Sequence, residues 1–423
     1  MAAGWEKLNA EPAEIAEKQI SACSVSALIF ELGVPLARES GRDDAPCRDA
    51  GEASLNRRTQ RRILSAMKPR LPASSLLIAA AAAATLGAQT PQYPITVIAP
   101  AKGPFTFPEG YQTPWDKIQI LVKEKLSPSL FVVHGSDTLD PAHPDGSGGR
   151  ALVLFGPDGV LLVDTQNRQV AEKTLTTIRS FTDGPIRVLV NTHIHSDHTG
   201  ANAFFAKQGA LIYAQENLRN EMLRPPPRGN GQPAPAPEMA AVPIATYSYN
   251  PATRGQPAVT FNMNGETVDF IPMMPSHTAG DTIVRFRNAN VIYIEDFYRN
   301  FGYPFADQTN GGSLKGMLEA VDLIQELADP ATTLVPGHGT LVKKGDLLPY
   351  RQMIMDVMAK VKTLRDQGKS LQDVLAANLT APYDKTTLGD TQQSKNRFIT
   401  EAYDEARDFP PVVDGKRTMP RRQ

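Results

Sequence analysis

The sequence predicts an α/β protein built as an αββα sandwich, and three observations carry that expectation. Short, densely apolar strands cluster in two regions, residues 130–163 and 266–295, and each cluster is followed by segments with apolar residues at helical spacing. The turns between the strands have hairpin chemistry, as at Pro157-Asp158-Gly159. A length of 423 residues with 41% hydrophobic side chains allows a sizeable core.

Taken in order, a helix is expected over 115–125, and "LFVVHG" (130–135) reads as a strand. "ALVLFGPDGVLLVDT" holds two apolar runs around the Pro-Asp-Gly turn, a β-hairpin. Val170, Leu175, Ile178 and Phe181 mark a helix over 169–181, and "IRVLVN" follows as a short buried strand. Later, "ETVDFIPM", "TIVRFRN" and "NVIYIED" read as strands, 314–327 as an amphipathic helix, "TTLVPGHG" as a strand ending in a loop, and 346–366 as a long C-terminal helix. Between the halves, "RPPPRGNGQPAPAPEMAAVP" (224–243) is too rich in Pro and Gly for the interior of either element. It reads as a solvated loop or as a lid over a site.

The first hundred residues differ from the rest. Residues 67–89 place Lys68 and Arg70 before an apolar run (76–84) and small residues ending near Ala88, the layout of a secretory signal; an alanine-rich buried helix is the alternative. Residues 1–66 then read as a disordered leader or an upstream segment with translation starting at Met67, and 90–129 as an extended N-terminal arm ahead of a domain over 130–410. The expected location is periplasmic or secreted, with no stable membrane association once the signal is cleaved. Both cysteines, Cys23 and Cys47, precede that signal, so a metal site in the mature domain must be built from His and carboxylates. A net charge of −1 without a basic face nominates no nucleic-acid partner and leaves a small molecule as the expected one; oligomeric state is unreadable.

"LVNTHIHSDHTGAN" (189–202) spends three of seven histidines, His193, His195 and His198, together with Asp197, on one strand-to-helix loop. In extended chain 193 and 195 can reach one point, and the turn into the helix redirects Asp197 and His198 toward a second. The spacing suits two metal ions close together. His277 in "PSHTAGDT", His338 between Gly337 and Gly339, and Asp296 in "VIYIEDF" all stand at strand ends, where a sandwich gathers residues distant in sequence. His143 lies in a polar, Gly-rich stretch and reads as solvated; His134 closes a strand and reads as a core hydrogen-bonding residue.

Through Asp164 at the end of "VLLVD", then "HIHSDH", His277, Asp296 and His338, the sequence resembles a metallo-β-lactamase-fold hydrolase over about residues 130–364. The resemblance implies a four-layer αββα sandwich and a dinuclear zinc site, with Fe or Mn as alternatives such donors accept. It implies that His193, His195 and His277 hold one metal, Asp197, His198 and His338 the other, that Asp296 bridges them, and that Asp164 orients the ligand loop. Asp at 296, rather than Cys or Ser, is similar to glyoxalase II, lactonases and general hydrolases of the superfamily. The expected activity is hydrolysis of a small ester, lactone or amide by a hydroxide shared between the metals, with Asp197 also orienting the water and Tyr298 and Tyr303 as catalytic oxyanion donors or packing residues. A β-lactamase proper and a non-catalytic metal-binding scaffold are the alternatives.

Overall fold

A helix over 115–125 is not formed. Ile120–Ser127 is a strand, β1, joined through Pro128 and Ser129 to an antiparallel partner, β2 (Leu130–Gly135), with Ser127 opposite Leu130. The Lys- and Glu-rich sequence of β1 is compatible with helix on propensity alone, but β2 is buried along its whole length and its open edge needs a hydrogen-bonding strand. Pairing overrides propensity here, and the sheet therefore starts ten residues before 130. The computed structural model describes residues 113–135, 148–225, 232–300, 302–387 and 392–406. All belong to the unit Ala88–Gln423. The signal-like stretch 67–89, both cysteines, His143 and most of the arm lie outside the described residues.

β3 (Ala151–Gly156) and β4 (Gly159–Val163) form the expected hairpin, followed by α1 (Ala171–Arg179), β5 (Ile186–Val190), the short helices α2 (Ser196–Thr199) and α3 (Asn202–Lys207), β6 (Leu211–Gln215), α4 (Glu216–Leu223) and β7 (Ala245–Tyr247). These seven strands make one sheet in sequence order, antiparallel from β1 to β4 and parallel from β4 to β7. A second, five-stranded sheet orders β12 (Thr333–Pro336), β11 (Val291–Glu295), β10 (Thr282–Phe286), β9 (Glu266–Pro272) and β8 (Val259–Met263). β8 joins β9 through Asn264 and Gly265, both at positive φ (54° and 74°), the conformation a two-residue hairpin turn requires. α5 (Leu314–Leu327) precedes β12, and α6 (Leu347–Asp366), α7 (Leu371–Ala376) and α8 (Gln392–Glu405) close the described chain.

Strand periodicity divides the apolar side chains into layers. Leu152, Leu154, Leu161 and Val163 face Phe270, Val284, Phe286 and Tyr293 across the gap between the sheets. Their neighbours Val153, Leu162 and Leu189 point outward against Ile178 and Phe205 of α1 and α3. On the other sheet Ile283, Ile292 and Ile294 pack against Met317 and Val321 of α5, Ile354 and Val357 of α6 and Phe398 of α8. Each such side chain contributes about 1.5–3 kcal/mol by leaving water. Because both faces of both sheets are covered, helix layers flank a two-sheet centre, the predicted αββα order. The sheet ends carrying residues 164, 191–198, 274–277, 296 and 337–338 come together at one edge.

Candidate metal centre

β5 ends at Val190, and its continuation is held by the first hairpin. Asp164, at φ 60°, accepts hydrogen bonds from the Thr192 amide (2.8 Å) and hydroxyl (2.7 Å). That anchors the loop just ahead of His193. His195 stands at the N-terminal boundary of α2, so Asp197 and His198 lie on the helix itself and diverge from 193 and 195. A bulge between Tyr293 and Glu295 in the β11–β12 ladder, with Glu295 at φ 45°, re-aims the chain immediately before Asp296. Gly337 lies so close to Asp296 and the His198 ring that any β-carbon there would collide with them, which fixes glycine at this position.

Two adjacent donor groups result. His193, His195, His277 and Asp296 form one; Asp197, His198 and His338 form the other; in each, ligand atoms lie within 4.8 Å of one another. Asp296 stands between them, 3.8 Å from His193 and His277 and 3.5 and 3.2 Å from His198 and His338.

The ring tautomers follow from partners that can only accept. His195 donates from Nε2 to Asp307 (2.8 Å), His277 from Nδ1 to the Phe305 carbonyl (2.8 Å) and His198 from Nδ1 to Asp164 (2.8 Å). Thr192 spends its proton on Asp164, so its oxygen accepts from His193 Nδ1 at 3.2 Å. The lone pairs left over on His195 Nδ1 and His277 Nε2 converge at 3.0 Å, while His338 Nε2 donates to Asp197 (2.9 Å) and lies 3.4 Å from the free Nε2 of His198. Among the described residues His193 Nε2 and Asp296 Oδ1 are buried without a hydrogen-bond partner. Facing lone pairs and orphaned buried atoms are what a cation would satisfy, and His with carboxylate is a donor set suited to zinc-type ions.

The electrostatics agree. Burial, then the neighbouring imidazoles, hold His277 down to about 3 and His193 well below the usual imidazole range, so both rings are neutral. Burial also disfavours charge on His198, yet Asp296, Asp197 and Asp164 together lift it to about 10, the mark of strong negative potential. Asp296 resists burial and stays well below the carboxylate range because of His338, His198 and His193.

Residues 144–338 match the family model of the metallo-beta-lactamase superfamily. The chain carries a metallo-beta-lactamase superfamily domain. Two curated relatives share parts of it: a linear primary-alkylsulfatase from a Pseudomonas species, 38% identical over 78 residues (17% of this chain, 15% of that protein), and the alpha subunit of a 2,4-dinitroanisole O-demethylase from a Nocardioides species, 28% identical over 149 residues (35% and 40%). The chain thus spans well under half the length of either. Among solved structures, a metallo-beta-lactamase from Pontibacter korlensis is 18% identical at TM-score 0.43, covering 56% of this chain and 99% of that one. An inverting sec-alkylsulfatase from Pseudomonas sp. is 16% identical at TM-score 0.49, covering 70% and 52%.

The metallo-beta-lactamase superfamily domain brings all seven expected donors, and Asp164 behind them, into one cluster, but not the two tyrosines. Tyr303 is fully buried, its hydroxyl donating to Asp384 (2.7 Å) with the Thr380 carbonyl 3.1 Å away, and Tyr298 packs against Tyr350 in the helix-side core. Both are packing residues because the chain after Asp296 turns into the α6–α8 layer. His134 is buried with Nε2 3.0 Å from the Gly148 carbonyl, in the core as read from sequence. Two supports escaped sequence reading. Asp307, 112 residues from His195, caps the turn Gln308–Asn310 while holding that ring; burial raises its carboxyl, but His195 and Asn310 bring it down to about 2. Arg150, 1% exposed, donates to Glu124 of β1 (3.1 Å) and to the Gly339 carbonyl, and its amide binds the Gly337 carbonyl, which pins the loop bearing His338.

Proposed function

We propose that this protein is an exported hydrolase with two zinc ions per chain, acting on a small ester, lactone or amide. The observation that carries it is the convergence of imidazole nitrogens in two adjacent groups, the tautomers of His195, His198 and His277 each fixed by an acceptor behind the ring. His193, His195 and His277 would hold one ion and Asp197, His198 and His338 the other, with Asp296 shared. Ions so held would lower the pKa of bound water to about 7 and supply Lewis-acid polarisation of the scissile group. The protein's part is positional. Asp164 fixes His198 and, through Thr192, the loop ahead of His193, while Asp307 and the Phe305 carbonyl fix His195 and His277. Asp197, with 28% of its side chain exposed, is the carboxylate of the set most open to solvent and can orient the attacking water. The signal-like layout around Lys68, Arg70 and 76–84 supports export to the periplasm or medium.

A second reading, sulfate-ester hydrolysis, is favoured by the local identity to the alkylsulfatase. The test is turnover by the full chain, zinc-loaded, of an acyl-homoserine lactone, a chromogenic cephalosporin and an alkyl sulfate, each with and without chelator. Chelator-sensitive opening of the lactone supports the acyl reading. Turnover confined to the alkyl sulfate moves the substrate class to sulfate esters, efficient cephalosporin cleavage makes the protein a β-lactamase, and silence toward all three removes the proposal.

A further inference from the structure

Tyr293 crosses the gap between the two sheets at the edge that carries the donors. It lies on β11, opposite Val284 of β10 on one side and Val335 of β12 on the other, so its backbone is fixed from both flanks. Its ring fills the core between the sheets and is fully buried. Phenylalanine would meet that packing need. The hydroxyl at the tip has a different task, because it reaches two groups of the opposite sheet: the Arg150 carbonyl just before β3 (2.9 Å) and Asp164 Oδ2 just past β4 (3.2 Å). Three residues further along its own strand stands Asp296.

The phenol has one proton and two acceptor-only neighbours, so one O–H is shared between them. Burial first, then Asp164 and Asp296, hold the phenol well above its usual range, and it remains a donor. Both acceptors belong to the supports of the second donor group. Asp164 Oδ2 also receives the Thr192 hydroxyl (2.7 Å) and His198 Nδ1 (2.8 Å). Arg150 holds the loop of His338, its amide on the Gly337 carbonyl (2.8 Å) and its guanidinium on the Gly339 carbonyl. A single hydroxyl thus joins the carboxylate behind His198 to the residue that clamps His338, and joins both to the strand that delivers Asp296. Tyr293 and Asp164 are fully buried and Arg150 is 1% exposed, so bulk solvent offers no substitute for a donor removed here.

We propose that Tyr293 is a positioning residue of the second donor group, its hydroxyl setting the spacing of His198 and His338 from Asp296 across the two sheets. The role rests on the two-zinc reading and extends it to a residue that touches no metal ligand side chain but acts through Asp164 and Arg150.

The test strips the full chain of metal and titrates zinc against a chromogenic chelator, in wild type and in Y293F, which keeps the ring and removes one oxygen. The ion of the second group is expected to bind about tenfold more weakly in Y293F, the scale for a support behind a ligating imidazole, and cobalt in its place to change its visible absorption. The ion of the first group is expected to be unmoved, as is the single ion left in a D197A/H338A background. D164N should weaken the second ion as well, and Y293F added to it should cost much less than in the wild type, because the two act in series. Two ions held alike in wild type and Y293F would overturn the positioning role and leave Tyr293 a core residue. Equal weakening of both ions, an undiminished loss on top of D164N, or a Y293F chain whose circular dichroism shows that it no longer folds would overturn it too. One ion in the wild type removes the two-zinc reading and this role with it. Because binding is read without turnover, a chain that takes up both ions but hydrolyses no ester sinks the hydrolase reading alone.

Discussion

His193, His195 and His277 are held from behind by neutral or well-spread groups: the Thr192 hydroxyl, Asp307 on its capped turn, and the Phe305 carbonyl. Asp197, His198 and His338 are held differently, by the buried Asp164 carboxylate and by a glycine loop clamped to Arg150, and two of the three are partly exposed, Asp197 at 28% and His338 at 12%. The first group is thus a rigid, imidazole-rich pocket at strand ends. The second, with Asp197 as its own carboxylate, is smaller and more open, and depends on a buried ion pair reaching back to β1. Each group should therefore fail at its own support.

The largest effect is expected where the groups join. D296A, read by metal analysis and turnover, should drop bound zinc to one per chain or fewer and hydrolysis to background; H195A should also abolish hydrolysis while the circular dichroism of the fold persists. Retained turnover in H195A would refute the metal-hydroxide mechanism. Next, R150M should separate the two groups. Breaking a buried ion pair costs about 3–5 kcal/mol, seen as a lower denaturation midpoint, and zinc should be lost from the second group while the first remains filled. Equal weakening of both groups would make Arg150 a general scaffold residue only.

A smaller change is expected from D307N, with metal affinity of the first group falling about 10–100-fold, the usual scale for a carboxylate behind a ligating histidine. The second group should be untouched in the same titration. The smallest effect concerns pH. Glu221 on α4 is raised by burial, then by Asp281 and Asp307, to about 8, so the folded chain keeps its proton where the unfolded chain has lost it. Stability should therefore fall as pH rises from about 4.5 to 8, and E221Q should flatten that slope in thermal melts, with little difference from wild type below pH 4. An unchanged slope would show that Glu221 does not govern it.

The donor set was legible because metal ligands must be His or carboxylate and because strand ends advertise themselves: "HIHSDH" after an apolar run, His338 between glycines, Asp296 closing "VIYIE". The supports were not. Asp307 is one polar residue in a loop, and Arg150 one cation beside two glycines; their roles arise from contacts 112 and 189 residues apart that only tertiary packing creates. The misread helix at β1 has the same origin, since local propensity in "LVKEKL" is ambivalent and its pairing with β2 decides. Tyr298 and Tyr303 followed Asp296 closely enough to be taken for site residues, yet the chain turns them into the helix layer.

Two separately supported donor groups meet at one carboxylate, Asp296. The most direct measurement is equilibrium zinc binding to the metal-stripped full chain, counted by elemental analysis, in wild type and in a D197A/H338A variant. The expected result is two zinc ions per wild-type chain and one, still tightly held, in the variant. One ion in both proteins, or none in the variant, would contradict it.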